Sequence, residues 1–290
     1  MQIPPCLWLP RGNWPLRSGV VKWYFIGATA RHGDGFGGSM SVEMIGWGAA
    51  IEQGNPDHLV VFISGFGRPE HQQFHFAEYS QRFRQTKLFL RDHTSTQYNE
   101  GIKGVTDTPE ENVEFLRYMI DKLAPQRVSF VSGSVGSHPT VLWGLELGVN
   151  DIHLLGPVTD MASMLQSERA TQQGFLPLVD HFHNMINQGY PHVSLRPFME
   201  QNWHKTDLID VYYGQGDPID VAQSGYIEDI PNVRSTIYHQ GNHFRVPAWV
   251  QRRDPDLENR INGPLVRPAD LRASGQTDPI ELGYAAVRLK

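Results

Sequence analysis

The stretch Val128-Ser129-Phe130-Val131-Ser132-Gly133-Ser134-Val135-Gly136-Ser137 decides how this chain of 290 residues is interpreted. An apolar run typical of a buried strand passes directly into small residues, and His138 to Leu147 has the pattern of a helix. A sharp strand-to-helix turn leaves little space, so the positions two before and two after Ser134 must be small. Ser132 and Gly136 meet this requirement, although the strict G-x-S-x-G form has glycine at the first position.

This turn predicts Ser134 as a nucleophile. The helix that follows would point its N-terminus at the serine and favour developing negative charge there. Val135 would then supply one backbone N–H to an oxyanion hole. Ser132 and Ser137 are alternative nucleophiles, but neither has small residues placed symmetrically around it. A small-residue turn without catalytic function is the remaining interpretation.

Strands and helices alternate on both sides of this turn. Near-continuous apolar runs predict strands buried on both faces of a sheet, at 58–63, 87–90, 128–131, 152–155, 208–213 and, as the last strand, 233–238. Helical patterns lie between them, at 69–83, 108–123, 138–147 and near Val221. Thr108-Pro109-Glu110-Glu111 is a strong helix start, with an N-cap, a first-turn proline and first-turn acids. The alternation predicts an α/β fold: a mostly parallel central sheet with helices on both faces.

Three segments depart from this alternation within what we expect to be a single domain, 1–290. Strand patterns at 20–26 and 39–45 flank a glycine-rich loop, which predicts an antiparallel hairpin at the sheet edge. A phosphate-binding loop is less favoured there, because a strand rather than a helix follows the glycines. Residues 159–205 are mostly helical in pattern and predict a small cap insertion. Residues 254–290 are polar and proline-rich, and we expect an extended tail.

Composition excludes several classes of function. Hydrophobic residues make up 40% and charged residues 19% of the chain, with a net charge of −6, as in ordinary globular proteins. Basic residues are scattered, so no nucleic-acid partner is expected. The single cysteine, Cys6, excludes an intrachain disulfide and a cysteine zinc site. No signal peptide and no apolar run of membrane-spanning length is apparent, so we expect no membrane span and a cytoplasmic location.

We also expect no metal and no cofactor. His181 and His183 lie two residues apart, but no third ligand follows at a helical or hairpin spacing.

The order of strand, Ser134 turn, helix, strand, helical insertion, strand with an acid and strand with a late histidine resembles the α/β-hydrolase superfamily. The resemblance covers roughly residues 58–250. It implies Asp217, three residues after Gly214, as the acid of a Ser-His-Asp triad. Asp220 is the alternative, and either aspartate could instead cap a helix. It implies His243, beyond the last strand, as the base in preference to His239 at the strand end.

The resemblance also implies a second oxyanion donor in the loop Ile63-Ser64-Gly65-Phe66-Gly67. Phe66 would donate its backbone N–H, and Gly65 would allow the backbone to approach the substrate closely. Arg91-Asp92-His93-Thr94 and Tyr98–Gly101 are expected at the pocket rim, where Asp92 or His93 could shape substrate binding. The aromatic and methionine side chains of the insertion either line an acyl pocket or form the core of the cap: Met161, Met164, Phe175, Phe182, Met185 and Trp203.

The implied chemistry is acyl transfer through serine. His243 would take the proton of Ser134 while Asp217 holds the imidazole tautomer, and attack would give an acyl-serine. Water would complete the hydrolysis of a small-molecule ester, whereas an alcohol would complete transfer to a sugar or another polar acceptor. A hydrolase-fold protein that binds a ligand without catalysis is the third hypothesis, because a fold alone does not decide function.

Overall fold

The computed structural model describes residues 42–65, 74–172, 175–239, 241–243, 246–247, 250, 256–274, 280–282 and 285–289. The strands in these ranges are β1 (Val42–Met44), β2 (Ala49–Glu52), β3 (Asn55–Ile63), β4 (Gln85–Leu90), β5 (Arg127–Gly133), β6 (Asp151–Leu155), β7 (Leu208–Gly214), β8 (Val233–Tyr238), β9 (Ile280–Leu282) and β10 (Ala285–Leu289). They form one sheet in the order β1-β2-β4-β3-β5-β6-β7-β8-β10-β9. The six strands from β4 to β8 in this order pair in parallel, which confirms the predicted mostly parallel sheet.

The α-helices in the described ranges are α1 (Pro109–Leu123), α2 (Ser137–Leu147), α3 (Met161–Leu165), α4 (Leu176–Asn187), α5 (Arg196–Asn202), α6 (Pro218–Gly225), α7 (Asp256–Asn262) and α8 (Pro268–Ala273). α1 begins as its sequence predicts. Thr108 is extended, and its hydroxyl accepts a hydrogen bond from Glu111 N at 3.2 Å, which satisfies one of the free N–H groups of the first turn.

The strands are buried on both faces because their side chains alternate between two apolar clusters. One cluster contains Leu59, Val61 and Ile63 of β3 together with residues of α1 and α2. The opposite cluster contains Val60 and Phe62 together with residues of α7. Helices therefore cover both faces, and β3 shows the continuous apolar run that this burial requires.

The N-terminal strand pair differs in detail from the predicted hairpin. β1 lies within the predicted strand 39–45, and it pairs antiparallel with β2, which the sequence patterns did not predict. β2 in turn pairs antiparallel with β4, so an antiparallel pair does form this edge of the sheet. The other predicted strand, 20–26, and the glycine-rich loop lie outside the described residues.

The predicted helix at 69–83 is not an α-helix where it is described. Residues 75–78 form a turn, and Tyr79–Arg82 is a short 3-10 helix. Phe76, Tyr79 and Phe83 are buried in the cluster around Phe62, so aromatic packing produces the apolar spacing that suggested a helix. Residues 69–73 lie outside the described part.

The C-terminal segment, 254–290, is not the extended tail that its sequence predicts. It contains α7, α8 and two strands, and β8 is not the last strand, because β10 pairs antiparallel with it. Arg127 of β5 donates to the carbonyl oxygens of Arg260 and Gly263, at 3.1 and 2.8 Å. These bonds attach α7 to the sheet.

The helical insertion divides between two packing layers. α3 and α4 form a separate apolar cluster with Val135 and Val158, which lie directly after β5 and β6. α5 instead contributes Met199 to the cluster that contains Leu59 and residues of α1 and α2. Within 159–205, α3 and α4 therefore pack against Val135 of the serine turn, whereas α5 contributes to the other cluster.

Candidate active site

The serine turn has the strained geometry that its sequence predicts. Ser134 follows β5 directly and has a φ of 54°, a left-handed conformation that a residue with a side chain adopts at some cost in free energy. The chain then enters a short 3-10 helix, Ser134–Gly136, and continues into α2. Ser134 is half-buried, whereas the alternatives Ser132 and Ser137 are fully buried. Of these three serines, Ser134 is thus the one a substrate can reach.

His243 bridges the serine and a carboxylate. Its Nε2 lies 3.0 Å from Ser134 Oγ, and its Nδ1 lies 2.8 Å from Asp220 Oδ1. His243 and Asp220 are buried, with exposed fractions of 5% and 0%. Because a carboxylate only accepts, Nδ1 carries the proton that it shares with Asp220, which leaves Nε2 able to accept from Ser134. Serine, imidazole and carboxylate form a continuous hydrogen-bonded chain.

The carboxylate in this chain belongs to Asp220, the alternative, and not to Asp217, the acid we preferred. Asp217 is the N-cap of α6, where Oδ1 accepts from Ile219 N at 3.0 Å and Asp220 N at 3.3 Å. Its Oδ2 accepts from the backbone N of His243 at 3.3 Å. Asp217 therefore fixes the loop that carries the histidine, while Asp220, three residues further into α6, meets the imidazole ring.

Arg169 was not foreseen from the sequence. This buried side chain belongs to the insertion, and its Nη2 lies 2.6 Å from Asp217 Oδ2 while its Nη1 lies 3.4 Å from Asp220 Oδ1. Burial alone would raise the pKa of Asp217, but the Arg169 guanidinium and the backbone hydrogen bonds hold that pKa below its usual value. A basic residue in an insertion has no sequence spacing that links it to a distant acid.

Gly156 packs closely against the hydrogen-bonded pair of His243 and Asp220. It follows β6 with a φ of +55°, and a Cβ at this position would lie 3.2 Å from His243 Nδ1 and 3.3 Å from Asp220 Oδ2. A side chain here would therefore press on the hydrogen bond itself. The positive φ and the close packing together explain why glycine occupies this position.

The two backbone segments of the predicted oxyanion hole are in contact. A Cβ at Gly65 would lie 2.5 Å from the carbonyl oxygen of Gly133, and one at Gly136 would lie 2.9 Å from that of Ser64. The loop after β3 and the serine turn thus pack backbone against backbone. Val135 lies in this turn, and its role as an oxyanion donor stays a prediction, whereas Phe66 lies outside the described residues.

The insertion's methionine and aromatic side chains form a packed core more than an open acyl pocket. Met161, Met164, Phe182 and Met185 are all buried in the cluster with Val135. A cavity of about 490 Å³ lies beside this cluster, between the loop after β4 and α4. Most of its lining residues are polar in type, although apolar atoms make up more of the lining surface than polar atoms do: Thr96, Asn99, Glu100, His181, Asn184, Met185, Gln188, Gly189, Tyr190 and Pro191.

His239 has a different partner. It is exposed, and its Nδ1 lies 2.9 Å from Gln215 Oε1. Across the described ranges, histidine, cysteine and acidic side chains form no group of three or more that could hold a metal ion. In the same ranges no helix has both the length and the apolar character needed to cross a membrane.

Serine, histidine and aspartate also meet within the sheet, in a group that we call the buried charge cluster: His58, Arg127, Ser129, Asp151, His153, Asp210, Arg234 and Arg260. His153 Nε2 lies 2.7 Å from Asp151 Oδ2, and Ser129 Oγ donates to the same carboxylate at 2.9 Å. Asp210 contacts Arg234 at 2.7 Å and Arg260 at 2.6 Å. The arginines neutralise both aspartates.

Comparison with known proteins supports the fold. The structure is similar to the capsule O-acetyltransferase of Neisseria meningitidis serogroup A, with a TM-score of 0.56 and 14% identity over 80% of this chain and 97% of that one. A variant of that acetyltransferase in complex with CoA gives a TM-score of 0.53 and 14% identity, covering 77% and 94%. The 2,6-dihydroxy-pseudo-oxynicotine hydrolase gives 0.54 and 10%, covering 73% and 63%. No protein-family model and no curated protein matches the sequence.

This chain has the α/β-hydrolase fold, as its sequence predicts. The fold follows from the strand order of the sheet, the serine turn and the similar solved structures. At 10–14% identity the likeness extends to the fold and not to a substrate.

Proposed function

We propose that the chain is a serine acyl hydrolase that cleaves a small-molecule carboxylic ester. The observation that carries the proposal is the position of His243, within 3.0 Å of Ser134 Oγ and 2.8 Å of Asp220 Oδ1 at once. The left-handed φ of Ser134 supports it, because a strained nucleophile presented ahead of a helix N-terminus is typical of this chemistry.

The steps follow from the hydrogen-bonded chain. His243 Nε2 takes the proton of Ser134 as Oγ attacks the ester carbonyl, and the imidazolium that forms is stabilised by the Asp220 carboxylate. The backbone N–H of Val135 stabilises the developing oxyanion, and Phe66 remains the expected second donor. His243 then protonates the departing alcohol, and water hydrolyses the acyl-serine with His243 again as base.

Asp217 and Arg169 act indirectly on the hydrogen-bonded group of Ser134, His243 and Asp220. Asp217 holds the backbone of His243, and Arg169 ties that carboxylate to the insertion. We further propose that the part of 159–205 before α5 is a cap over the site within a single domain. A cytoplasmic location belongs to the same proposal and is based on sequence features alone.

Labelling with a fluorophosphonate followed by peptide mapping tests the nucleophile without a guess about substrate. We expect an adduct on Ser134 in the wild type, none in Ser134→Ala, and labelling slowed by at least about 100-fold in His243→Ala. Ser129→Ala is the matched control, because Ser129 also contacts an aspartate but is fully buried. An adduct on another serine, or a folded wild-type protein that is not labelled, would contradict the proposal.

An acyltransferase is the second candidate function. It is favoured by the cavity between the loop after β4 and α4, whose threonine, amide, carboxylate and histidine groups can hydrogen-bond an acceptor rich in hydroxyl groups. The fold similarity to an O-acetyltransferase is consistent with it.

The fate of the acyl group separates the two functions. With p-nitrophenyl acetate as donor, a hydrolase releases acetate at a rate that added monosaccharides do not change. A transferase instead yields acetylated sugar, and its turnover rises with acceptor concentration. Labelling of Ser134 without turnover in either assay would favour a ligand-binding role.

A further inference from the structure

The loop after β4 contacts both backbone segments of the oxyanion hole. Gln97 Nε2 donates to the carbonyl oxygen of Val135 at 3.3 Å, on the serine turn. The adjacent Tyr98 donates from its hydroxyl to the carbonyl oxygen of Ser64 at 3.1 Å, on the segment after β3. Two consecutive side chains of one loop therefore hold the peptides next to the oxyanion donors.

The backbone of this loop is itself strained. Ser95, Gln97 and Tyr98 have φ values of 58°, 55° and 63°, and none of them is glycine. Left-handed residues with side chains persist only when the surrounding structure determines their conformation. The strain indicates that the direction of the Gln97 and Tyr98 side chains is maintained at a cost in free energy.

Asp92 holds the loop in this conformation. Its Oδ1 accepts from Thr94 N at 3.2 Å and Thr94 Oγ1 at 3.1 Å, and its Oδ2 accepts from Tyr98 N at 3.3 Å. Asp92 is buried, with 6% exposed. A buried carboxylate is costly unless it is hydrogen-bonded, and these bonds to the loop provide that compensation.

A second contact fixes the other side of Tyr98. Asn112 of α1 donates from Nδ2 to the carbonyl oxygen of Tyr98 at 2.9 Å, and the Tyr98 ring packs edge-on against Trp143 of α2 at 5.2 Å between centroids. The loop is thus attached to the helices behind the sheet as well as to the oxyanion segments.

We propose that Asp92, Gln97 and Tyr98 are positioning residues that hold the serine turn and the loop after β3 at the separation the oxyanion hole requires. This inference rests on the proposed function. Catalytic hydrogen bonds depend strongly on small displacements, so losing one of these contacts slows acylation while leaving substrate affinity unchanged.

The test uses the full-length chain and the variants Gln97→Met, Tyr98→Phe and Asp92→Asn. Each retains shape and removes a donor or an acceptor. Gln126→Met and Tyr226→Phe are matched controls: Gln126 contacts Asp57 and Tyr226 contacts Ser194. For the fluorophosphonate, we expect the maximal labelling rate to fall about tenfold in the three loop variants, with the half-saturating concentration near wild type and the melting temperature lowered by no more than a few degrees. The controls should label like the wild type.

Hydrogen–deuterium exchange supplies a readout that does not need activity. We expect faster exchange in peptides containing 64–65 and 133–137 of the loop variants, and no change in the controls. Labelling within twofold of wild type in all three variants, equal losses in the controls, or unchanged exchange in these peptides would overturn the inference. If the wild type is not labelled at Ser134, the proposed function fails, and exchange alone then decides the role of the loop.

Discussion

Two hydrogen-bonded histidine–carboxylate pairs lie at different positions along the parallel strands. His243 and Asp220 lie beyond the carboxyl ends of β8 and β7, where the serine turn follows β5. His153 and Asp151 lie within β6 and are fully buried. Both pairs have a short hydrogen bond, at 2.8 and 2.7 Å, and both have a serine nearby. The shared residue types therefore do not distinguish a site from a structural contact.

The two pairs differ in the group that contacts the other ring nitrogen of the histidine. In His243 it meets Ser134 Oγ, a half-buried hydroxyl at a strained turn. In His153 it lies 3.3 Å from the Tyr212 hydroxyl and 3.7 Å from Asp210, deep in the sheet. Ser129 Oγ also lies 2.7 Å from an imidazole nitrogen, His58 Nε2, but it donates its proton to Asp151 and therefore accepts from His58, so no imidazole is placed to take its proton.

The aspartates of the buried charge cluster also differ from Asp220 in the cations that contact them. Burial alone would raise the pKa of Asp151, but His153 and Arg127 lower it to about 2. The pKa of Asp210 is likewise held well below its usual value by Arg234 and Arg260, against the effect of burial. Carboxylates neutralised in this way stabilise the sheet. Asp220 also faces an arginine, Arg169, but at the longer distance of 3.4 Å, and its shortest contact is the 2.8 Å one with His243.

The largest effect should come from removing the charge at Asp220. We expect Asp220→Asn to lower kcat by about 1,000- to 10,000-fold, because an amide at this position favours the wrong imidazole tautomer. Ester hydrolysis measured on the folded variant checks this.

Asp217→Asn is the matched control for that substitution. It should lower kcat by only about tenfold, since the amide oxygen can still cap α6, while the Nδ2 group in place of Oδ2 loses the contacts with Arg169 and with the backbone N of His243. Equal losses in the two variants would contradict the assignment of Asp220 as the acid.

A smaller effect, on stability, is expected in the buried charge cluster. Asp210→Asn leaves the buried Arg234 guanidinium and Arg260 without their carboxylate, which should lower the free energy of unfolding by about 3 kcal/mol. Urea denaturation measures this. The rate of Ser134 labelling per folded molecule should stay at the wild-type value.

Asp229→Asn provides the comparison for an exposed pair. Asp229 contacts Arg196 at the surface, so its substitution should change stability little. A loss as large as that in Asp210→Asn would show that burial is not the deciding factor.

The smallest effect concerns pH. Burial, together with the nearby Arg127, lowers the pKa of His58 from 6.5 to about 4. Stability from this neutral histidine is complete above pH 6.5 and is lost as the pH falls toward 4, because the unfolded chain binds the proton first. Between pH 7.5 and pH 5 the loss should be about 2 kcal/mol.

His58→Gln isolates this contribution. The difference in unfolding free energy between those two pH values should be smaller by about 2 kcal/mol in the variant than in the wild type. Equal pH dependence of the two proteins would rule out His58 as its source.

The core of the fold was predictable from local patterns. Strands buried on both faces, such as β3 and β5, have apolar runs that no surface element would have, and Thr108-Pro109 marks the start of α1. The strained turn at Ser134 was predictable because such a turn restricts the size of its neighbours. These are local constraints, and the sequence carries them directly.

The remaining features depend on contacts between distant residues. Asp217 and Asp220 lie within one turn of a helix start, and only the course of the loop after β8 decides which carboxylate meets His243. Arg169 reaches Asp217 across 48 positions of sequence. β10 forms by pairing with β8, and its five residues, although mostly apolar, are too few to give a periodic pattern after the polar, proline-rich stretch that precedes them.

The pairing of β10 with β8 bears on the solubility of the whole molecule. If residues 280–290 were removed, β8 would become an edge strand with a row of unpaired N–H and C=O groups. Such an edge recruits strands from other molecules, so a shortened chain would tend to aggregate. The C-terminal segment, which looks dispensable because a polar and proline-rich stretch precedes it, protects the sheet at the strand that leads to His243.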